Sequence, residues 1–291
     1  MKLGILGPGK KAAAYTTNRL IEEAQKKFKE VDLIPIADVK LKIDKDMEAF
    51  IEKKNLKDYD YILPRIDSKK ASIAYPVISF LDYMGVKKPY SSNTILFAHN
   101  KFLTLLQLAK NSIPVPETYL TASNDVANKI LEKQKLPAVI KLLSGFGGQG
   151  VIIIESKDAA KSTIETMKKL KQEILIEKFI KNHGEDIRGI VAGEEVIASY
   201  KRIAKEGELR ANIKAGGKGM SFKLTGEMEN TVLKAAEAIK SKICAIDLIE
   251  GKDGIKVLEA NINPGVQGIE RTTGLNVAGR IVDYILGEIK K

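Results

Sequence analysis

The chain has 291 residues, 44% of them hydrophobic, which is enough for roughly two or three domains with substantial cores. Lys and Arg total 48 against 37 acids, and the resulting charge of +11 favours an anionic partner such as a nucleotide or an acidic peptide. Aromatics are only 6%, Trp is absent and no nucleic-acid-binding motif is present, so nucleic acid is a disfavoured partner. Because the apolar runs are too short for a membrane span or a signal peptide, we expect a cytoplasmic protein.

The first third of the chain alternates strand and helix patterns. The predicted elements are strands at Lys2–Leu6, Val31–Ile36 and Tyr61–Pro64 and helices at residues 12–28 and Ile73–Met84. This order predicts a parallel sheet. Gly4, Gly7 and Gly9 lie in and just after the first predicted strand, but their spacing differs from the dinucleotide fingerprint, so we interpret them as part of a tight strand-to-helix turn.

A domain boundary is predicted near Ser91–Asn93, where polar turn residues precede a helix over residues 100–109. Pro114 and Pro116 follow that helix and cannot continue it. Beyond them the chain again alternates strands with helices, the longest of which are predicted at residues 158–170 and 227–241. The pattern predicts a mixed fold of helices and sheets.

A glycine-rich loop at Ser144–Gly150 lies between predicted strands at Pro137–Leu143 and Val151–Glu155. Four glycines in this loop exceed what one hairpin turn needs, which favours a flap whose backbone N–H groups cover phosphates. Lys141 precedes the loop, where its charge can neutralise phosphate. An ordinary hairpin turn is the alternative.

The most informative pattern is a set of acidic and amide residues on two predicted strands near the end of the chain. Two β-rich runs, residues 243–250 and 255–262, flank a turn signal at Gly251–Gly254 and predict a hairpin. A register pairing Glu250 with Lys256 sets Asp247 opposite Glu259, with Asn261 on the same face. Opposed like charges are unfavourable on a sheet, so a cation between them is expected, and oxygen ligands suit Mg²⁺. The alternative is a solvated hairpin face carrying two unrelated acids.

Two further cations and three reactive side chains complete the candidates. Arg202 and Arg210 offer planar forks suited to phosphate or carboxylate, although each alone is more often a surface ion pair. His99 and His183 have no evident catalytic partner and are interpreted as structural or surface residues. Cys244, the single cysteine, has apolar neighbours, which favour a buried thiol over a nucleophile.

Together these motifs resemble the ATP-grasp superfamily, and most closely the RimK-type α-L-glutamate ligases, across essentially the whole chain. The matching stretches are residues 63–66, Asn100-Lys101, Ile140-Lys141, the glycine loop, Asp186-Ile187-Arg188, residues 202–207, residues 210–212, Gly216-Gly217, Asp247, residues 259–265, residues 268–270 and residues 272–274. The resemblance implies an α/β and α+β ATP-grasp fold with an N-terminal parallel-sheet (pre-ATP-grasp) domain. The expected domains are residues 1–93, a central subdomain 94–180 carrying the flap, and a C-terminal subdomain 181–291 carrying the metal site.

The resemblance also implies residue roles. The residues implied at the phosphates are Lys101 and Lys141, with Gly147 and Gly148 in the flap that covers them. Those implied at the rest of the nucleotide are Glu177 and Lys178 at the adenine hinge, Asp186 at the ribose, and Arg210, Ala211 and Asn212. The implied ligands of two Mg²⁺ or Mn²⁺ ions are Asp247, Glu259 and Asn261. Arg202 and Arg210 are the implied catalytic cations. Lys178 stands where an aromatic or aliphatic hinge residue is expected, which favours a backbone contact there.

The implied reaction is ATP-dependent carboxylate-amine ligation through an acyl phosphate, which releases ADP. The expected amine is L-glutamate, joined to the C-terminal carboxylate of an acidic acceptor such as a ribosomal-protein tail. Alternative acceptors are a small glutamylated coenzyme of the methanopterin or deazaflavin type and an amino-group carrier protein of lysine or arginine synthesis. A nucleotide-binding regulator without turnover is the competing class. The resemblance further suggests a homodimer or homotetramer.

Overall fold

The computed structural model describes residues 1–9, 14–143, 150–205 and 217–291. Within them the strands are β1 Lys2–Gly7, β2 Glu30–Pro35, β3 Lys40–Lys42, β4 Glu48–Ile51, β5 Lys54–Asn55, β6 Tyr61–Pro64, β7 Thr118–Thr121, β8 Ala138–Lys141, β9 Val151–Ile154, β10 Ile174–Lys178, β11 Glu185–Ala192, β12 Glu195–Ile203, β13 Lys218–Ser221, β14 Ile243–Gly251 and β15 Gly254–Asn261. The α-helices are α1 Tyr15–Gln25, α2 Ala71–Tyr83, α3 Ser92–Ala98, α4 Lys101–Lys110, α5 Asn124–Lys133, α6 Lys157–Lys169, α7 Gly226–Ala238, α8 Gln267–Thr273 and α9 Val277–Lys290.

The first sheet has the strand order β2-β1-β6, and both pairings are parallel, as the sequence predicts. Gly7 ends β1 at a close approach between two chain segments. A Cβ on Gly7 would lie 2.8 Å from the carbonyl oxygen of Arg65, and the Arg65 main-chain N–H donates to the Leu6 carbonyl at 2.6 Å. Only glycine fits at this point without a shift of the backbone.

The second sheet is antiparallel, with the order β7-β10-β8-β9. Helices α5 and α6 pack together against it and enclose a separate hydrophobic core that includes Ile140, Ile154, Ile164 and Ile176. The predicted strands on either side of the glycine loop are present as β8 and β9. This sheet therefore has apolar contacts of its own, distinct from those of the rest of the chain.

The third sheet has five antiparallel strands in the order β13-β12-β11-β14-β15. Helix α7 packs against one face, while α8 and α9 pack against the other. The side chains of β14 alternate accordingly, because Ile246 and Leu248 join the core under α7 whereas Ile243 and Ala245 join the core under α9. Asp247 follows the second set and lies on its face of the sheet.

One small sheet was not predicted. Strands β3, β4 and β5 form an antiparallel unit, in which the strands have only three, four and two residues. Runs this short are below the length at which alternation can be recognised in a sequence.

The first and third sheets share a core. Leu3, Ile5 and Leu20 of the N-terminal part pack in one cluster with Val277 and Ile281 of α9. Across the described residues, no helix combines the length and the apolar content that crossing a bilayer requires.

Candidate active site

One cavity of about 1280 Å³ lies where the three larger sheets meet. The sequence-predicted site residues that line it are Lys101, Lys141, Glu177, Lys178, Asp186, Arg202, Asp247, Glu259 and Asn261. The structure thus brings together every predicted site residue that it describes. The remaining predictions, Gly147 and Gly148 of the flap and Arg210, Ala211 and Asn212, lie outside the described residues.

The predicted metal ligands lie on the β14–β15 hairpin, whose turn is at residues 251–254 as expected. The predicted register near the turn is wrong by one residue, because Glu250 pairs with Ile255 and not with Lys256. A β-bulge further along adds one residue to β15 and restores the offset, so Asp247 does face Glu259. The key pairing is therefore present, but it depends on the bulge.

Two guanidinium groups surround Asp247, which is only 5% exposed. Arg188 Nε and Nη2 donate to Oδ1 and Oδ2 at 2.6 Å each, and Arg202 Nη2 donates to Oδ2 at 2.8 Å. Although burial alone would raise the pKa of Asp247, the charges of Arg188 and Arg202 hold that pKa well below its ordinary value. Protein cations therefore supply part of the charge relief that the sequence argument assigned to a metal ion.

Asp186 competes with Asp247 for Arg202. Arg202 Nε donates to Asp186 Oδ1, and its Nη2 donates to Oδ2 at 2.8 Å. Burial raises the pKa of Asp186 despite the charge of Arg202, and the negative charge of Asp247 raises this pKa further. Arg202 thus bridges two aspartates in neighbouring strands and fixes their relative position.

Glu259 and Asn261 lie nearer to solvent. The Glu259 side chain is 39% exposed, and Lys101 Nζ contacts its Oε1 at 3.3 Å. Lys101 begins α4, which the Asn100 side chain caps by accepting from the Leu103 N–H at 3.1 Å. Asn261 Oδ1 accepts from the Asn263 N–H at 2.8 Å. The helix terminus therefore delivers a cation to the edge of the acidic triad.

Lys141 and Glu177 form a buried ion pair on adjacent strands of the second sheet, with Nζ 2.6 Å from Oε2 and side chains 13% and 3% exposed. The second oxygen of Glu177 is buried and has no hydrogen-bond partner among the described residues. At the neighbouring position, the Lys178 main-chain N–H donates to the Glu117 carbonyl at 2.9 Å. The Lys178 N–H is therefore already hydrogen-bonded within the protein, whereas the exposed Lys178 side chain lines the cavity.

The acidic triad fits a divalent cation by its donor set. Asp247 Oδ1 accepts one hydrogen bond, Asn261 Oδ1 accepts one, and Glu259 makes a long contact with Lys101. Because carboxylate and amide oxygens each carry two lone pairs, every ligand retains one oxygen site without losing these contacts. Two carboxylates and an amide make an oxygen-only set of the kind that Mg²⁺ accepts. In the described part of the chain no cluster of three or more His, Cys, Asp or Glu residues provides another such site.

The sequence interpretation missed Arg188 as a site residue. The signal was present, since Asp186 and Arg188 are two apart on β11 and therefore share a face. Across the sheet Asp186 pairs with Arg202 and Arg188 pairs with Asp247. The sequence alone does not show that these three strands are neighbours, so it could not predict that their alternating charges meet on one face of the sheet.

The histidines and the cysteine differ in location. His183 is exposed, and Cys244 is a buried free thiol whose pKa is raised by burial, as its apolar neighbours predicted. His99 lines the cavity, and its Nε2 is buried without a partner in the described part of the chain. Burial lowers the pKa of His99, so the imidazole is neutral at neutral pH.

Comparison with known proteins identifies the family. The RimK-like ATP-grasp domain model matches residues 98–285, and the RimK PreATP-grasp domain model matches residues 1–95. The chain belongs to the RimK-like ATP-grasp family. It is therefore an ATP-grasp ligase, and the predicted fold with its N-terminal parallel sheet is confirmed.

Similar proteins and solved structures support the same family assignment. The chain is 35% identical over 288 residues to a probable alpha-L-glutamate ligase of Pseudoalteromonas translucida, covering 98% of this chain and 95% of the relative. Among solved structures it resembles a RimK domain ATP-grasp protein from Sphaerobacter thermophilus, with a TM-score of 0.74, 20% identity and coverage of 99% and 100%. It also resembles the D-alanine–D-alanine ligase of Bacillus anthracis complexed with ATP, with a TM-score of 0.72, 20% identity and coverage of 100% and 97%.

Proposed function

We propose that this ligase uses ATP to join L-glutamate to the C-terminal carboxylate of an acidic acceptor through an acyl phosphate, releasing ADP. The observation that carries the proposal is the convergence of the acidic triad, Lys101, Lys141 and Arg202 on one cavity. The names of relatives that are 35% identical over 98% of the chain support glutamate as the amine. A homo-oligomeric state, a cytoplasmic location and the division at residues 93 and 180 stay predictions.

The nucleotide is expected to lie between the second and third sheets. Lys141 ends β8 and Lys101 begins α4, and the Lys101 main-chain N–H donates to the Leu143 carbonyl at 3.1 Å, so the two lysines line neighbouring parts of the cavity and both can face the phosphates of one bound molecule. Glu177 has one unpaired oxygen in the same wall as Lys141, which suits an exocyclic amine donor such as that of adenine. Asp186 is already paired with Arg202, so contact with a ribose hydroxyl would use its remaining lone pairs.

The acidic triad is the proposed site of two divalent cations, Mg²⁺ or Mn²⁺. When bound, such ions neutralise phosphate charge and align the reacting oxygens. The chain's own residues do the rest. Arg202 lies 2.8 Å from Asp247 and lines the cavity, so we expect its positive charge to stabilise the oxygens that gain charge as the phosphoryl group moves. The buried ion pairs hold these side chains at fixed positions before substrate binds.

Phosphoryl transfer produces an acyl phosphate on the acceptor carboxylate, and the amine of glutamate then displaces phosphate to form the amide. This second step needs a deprotonated amine and the exclusion of water. The acidic acceptor fits the charge of +11 on the whole chain. A ribosomal-protein tail is the acceptor we expect first, with a glutamylated coenzyme or a carrier protein as the outcomes that would replace it.

The test is an ADP-release assay of the purified enzyme with L-glutamate, Mg²⁺ and candidate acceptors, with product mass showing what was joined. We expect Glu259→Ala to lower ADP formation at least about 100-fold, since the loss of a metal ligand costs several kcal/mol of charge stabilisation. Glu250→Ala is the matched control, because Glu250 is an exposed acid on the same hairpin and does not line the cavity. Unchanged ADP formation in Glu259→Ala, or ADP release with another amino acid and not with glutamate, would contradict the proposal.

A further inference from the structure

A buried guanidinium without an acidic partner lies on the wall of the cavity that the first sheet contributes. Arg65 directly follows β6, is only 9% exposed and lines the cavity. Its Nη1 donates to the Pro264 carbonyl at 2.9 Å, whereas its Nε is buried and has no hydrogen-bond partner among the described residues. One edge of the guanidinium is therefore unused by the protein.

Other deeply buried cations of the structure differ from Arg65 in this respect. Those that contact a carboxylate within 2.8 Å are Lys88 with Asp82, Lys141 with Glu177, Arg188 with Asp247, and Arg202 with Asp247. A buried charge is costly unless a counter-charge and hydrogen bonds compensate it. For Arg65 the described residues supply one carbonyl oxygen and no carboxylate, which leaves its charge uncompensated.

The surroundings of Arg65 do not remove that charge. Burial lowers the pKa of Arg65 to about 10, and Tyr90 partly opposes the shift, so the group is still cationic at neutral pH. Tyr90 is itself a neutral phenol there, because burial raises its pKa. Two further unpaired polar atoms belong to residues lining the same cavity, Nε2 of His99 and Oδ1 of Asn263. Arg65 thus lies in a region with unused hydrogen-bonding capacity.

We propose that Arg65 anchors a carboxylate-binding subsite, in which the part of its guanidinium that the protein leaves unpaired binds a substrate carboxylate. This inference rests on the proposed function, because that reaction brings two acidic molecules into the cavity, free L-glutamate and the acidic acceptor. Either can supply the carboxylate. Arginine suits the task because its planar fork matches the geometry of a carboxylate.

The position relative to the acidic triad supports a substrate role. Pro264, whose carbonyl accepts from Arg65, lies three residues beyond Asn261 at the end of β15. The Val266 N–H donates to Thr16 Oγ1 at 3.0 Å, so this segment is held against the N-terminal part at two points. Lys141 and Glu177 belong to the second sheet, whereas Arg65 follows β6 of the first sheet and contacts the segment after β15. Arg65 therefore enters the cavity from a different sheet than the residues expected at the adenine, which favours the acceptor or the amine as its ligand.

A purely structural clamp on Pro264 is the competing explanation, and two substitutions separate it from a binding role. Arg65→Gln keeps an N–H donor but removes the charge, and Arg65→Lys keeps the charge but removes the planar fork. Arg280→Gln is the control, since Arg280 also donates to a main-chain carbonyl, that of Ile197, and does not line the cavity, although unlike Arg65 it is exposed. Thermal unfolding of all three variants measures any loss of the clamp.

Binding is measured by calorimetry on the full chain with ADP and Mg²⁺ present, using L-glutamate, tetraglutamate and, as the comparison that lacks the side-chain carboxylate, L-glutamine. We expect Arg65→Gln to weaken binding of an acidic probe about 10- to 100-fold, Arg65→Lys to weaken it less, and Arg280→Gln to leave it unchanged. A loss confined to L-glutamate assigns the subsite to the amine donor, and a loss confined to tetraglutamate assigns it to the acceptor. Unchanged affinity for both probes in Arg65→Gln, or an equal loss in Arg280→Gln, would overturn the subsite.

The same measurements distinguish this inference from the proposed function. If the parent enzyme binds an acidic probe through Arg65 but forms no ADP with glutamate and any acceptor, the ligase proposal fails while the subsite stands. If ADP formation and the KM values for ATP, glutamate and acceptor are all unchanged in Arg65→Gln, the subsite fails while the ligase proposal stands. A rise in the KM for one acidic substrate with an unchanged KM for ATP is the kinetic result we expect.

Discussion

The pairing of Arg188 with Asp247 allows a quantitative test of how the site is held together. Arg188→Met keeps an apolar stem of similar shape and removes two hydrogen bonds of 2.6 Å to a carboxylate that is 5% exposed. Each such bond to a charged group contributes roughly 1.5–3 kcal/mol. Arg202 continues to donate at 2.8 Å and offsets part of the loss. We therefore expect the free energy of unfolding to fall by about 3–5 kcal/mol, the range for breaking a buried ion pair.

The assay is urea denaturation at pH 7, followed by circular dichroism and by intrinsic tyrosine fluorescence so that coincidence of the two transitions can be checked. Lys201→Met is the matched control, because Lys201 contacts Glu185 at 2.7 Å in the same sheet but Glu185 is 33% exposed. For that more exposed pair we expect a loss of only about 0–1 kcal/mol. A loss in Arg188→Met no larger than in Lys201→Met would refute the reasoning that Asp247 depends on Arg188.

Three further predictions concern other parts of the chain. A hydrogen bond from Lys26 lowers the pKa of Glu23 to about 2, so its stabilisation is present above the unfolded pKa of about 4.3 and is lost as the pH falls towards 2. Glu23→Gln should therefore cost about 1–2 kcal/mol at pH 7, discounted because Lys26 is exposed. The urea midpoints of the variant and the parent should approach each other as the pH falls from about 4 to about 2, and a difference at pH 2 as large as that at pH 7 would contradict this. Cys244, fully buried with a raised thiol pKa, should react with a thiol reagent only after denaturation; rapid labelling of the native protein would show that it is accessible. Gly7→Ala should lower the thermal midpoint because its Cβ would lie 2.8 Å from the Arg65 carbonyl oxygen, whereas Gly287→Ala, with open space around it, should not.

The hairpin shows what could be predicted from the sequence and what could not. Alternation and a turn signal predicted the hairpin and the pairing of Asp247 with Glu259, and both are present. The bulge in β15 was not predictable, since no glycine or other local signal marks it, and the register near the turn was wrong for that reason. The pairing of Asp247 with Glu259 is nevertheless as predicted, because the extra residue of the bulge compensates for the one-residue error in the register near the turn.

The cationic partners of the acidic residues could not be predicted from the sequence, for a different reason. Arg188 and Arg202 are 59 and 45 residues from Asp247 in the sequence, and their contacts depend on which strands become neighbours in the third sheet. The unused edge of Arg65 is likewise a property of packing, because only the folded chain shows that no acid of the described residues reaches it. The family resemblance predicted which residues belong to the site, whereas the pairing of their charges could be seen only in the folded structure.

The shared core of the first and third sheets has a consequence for motion. Leu3, Ile5 and Leu20 pack with Val277 and Ile281, so these two sheets cannot separate without exposing apolar surface. The second sheet encloses its own core, and its displacement would leave that burial intact. The width of the cavity is therefore expected to change through rotation of the second sheet, which carries Lys141 and Glu177 towards or away from a stationary acidic triad. In this chain we therefore expect Lys141 of β8 to move, while the proposed metal ligands and Arg65 form the fixed side of the site.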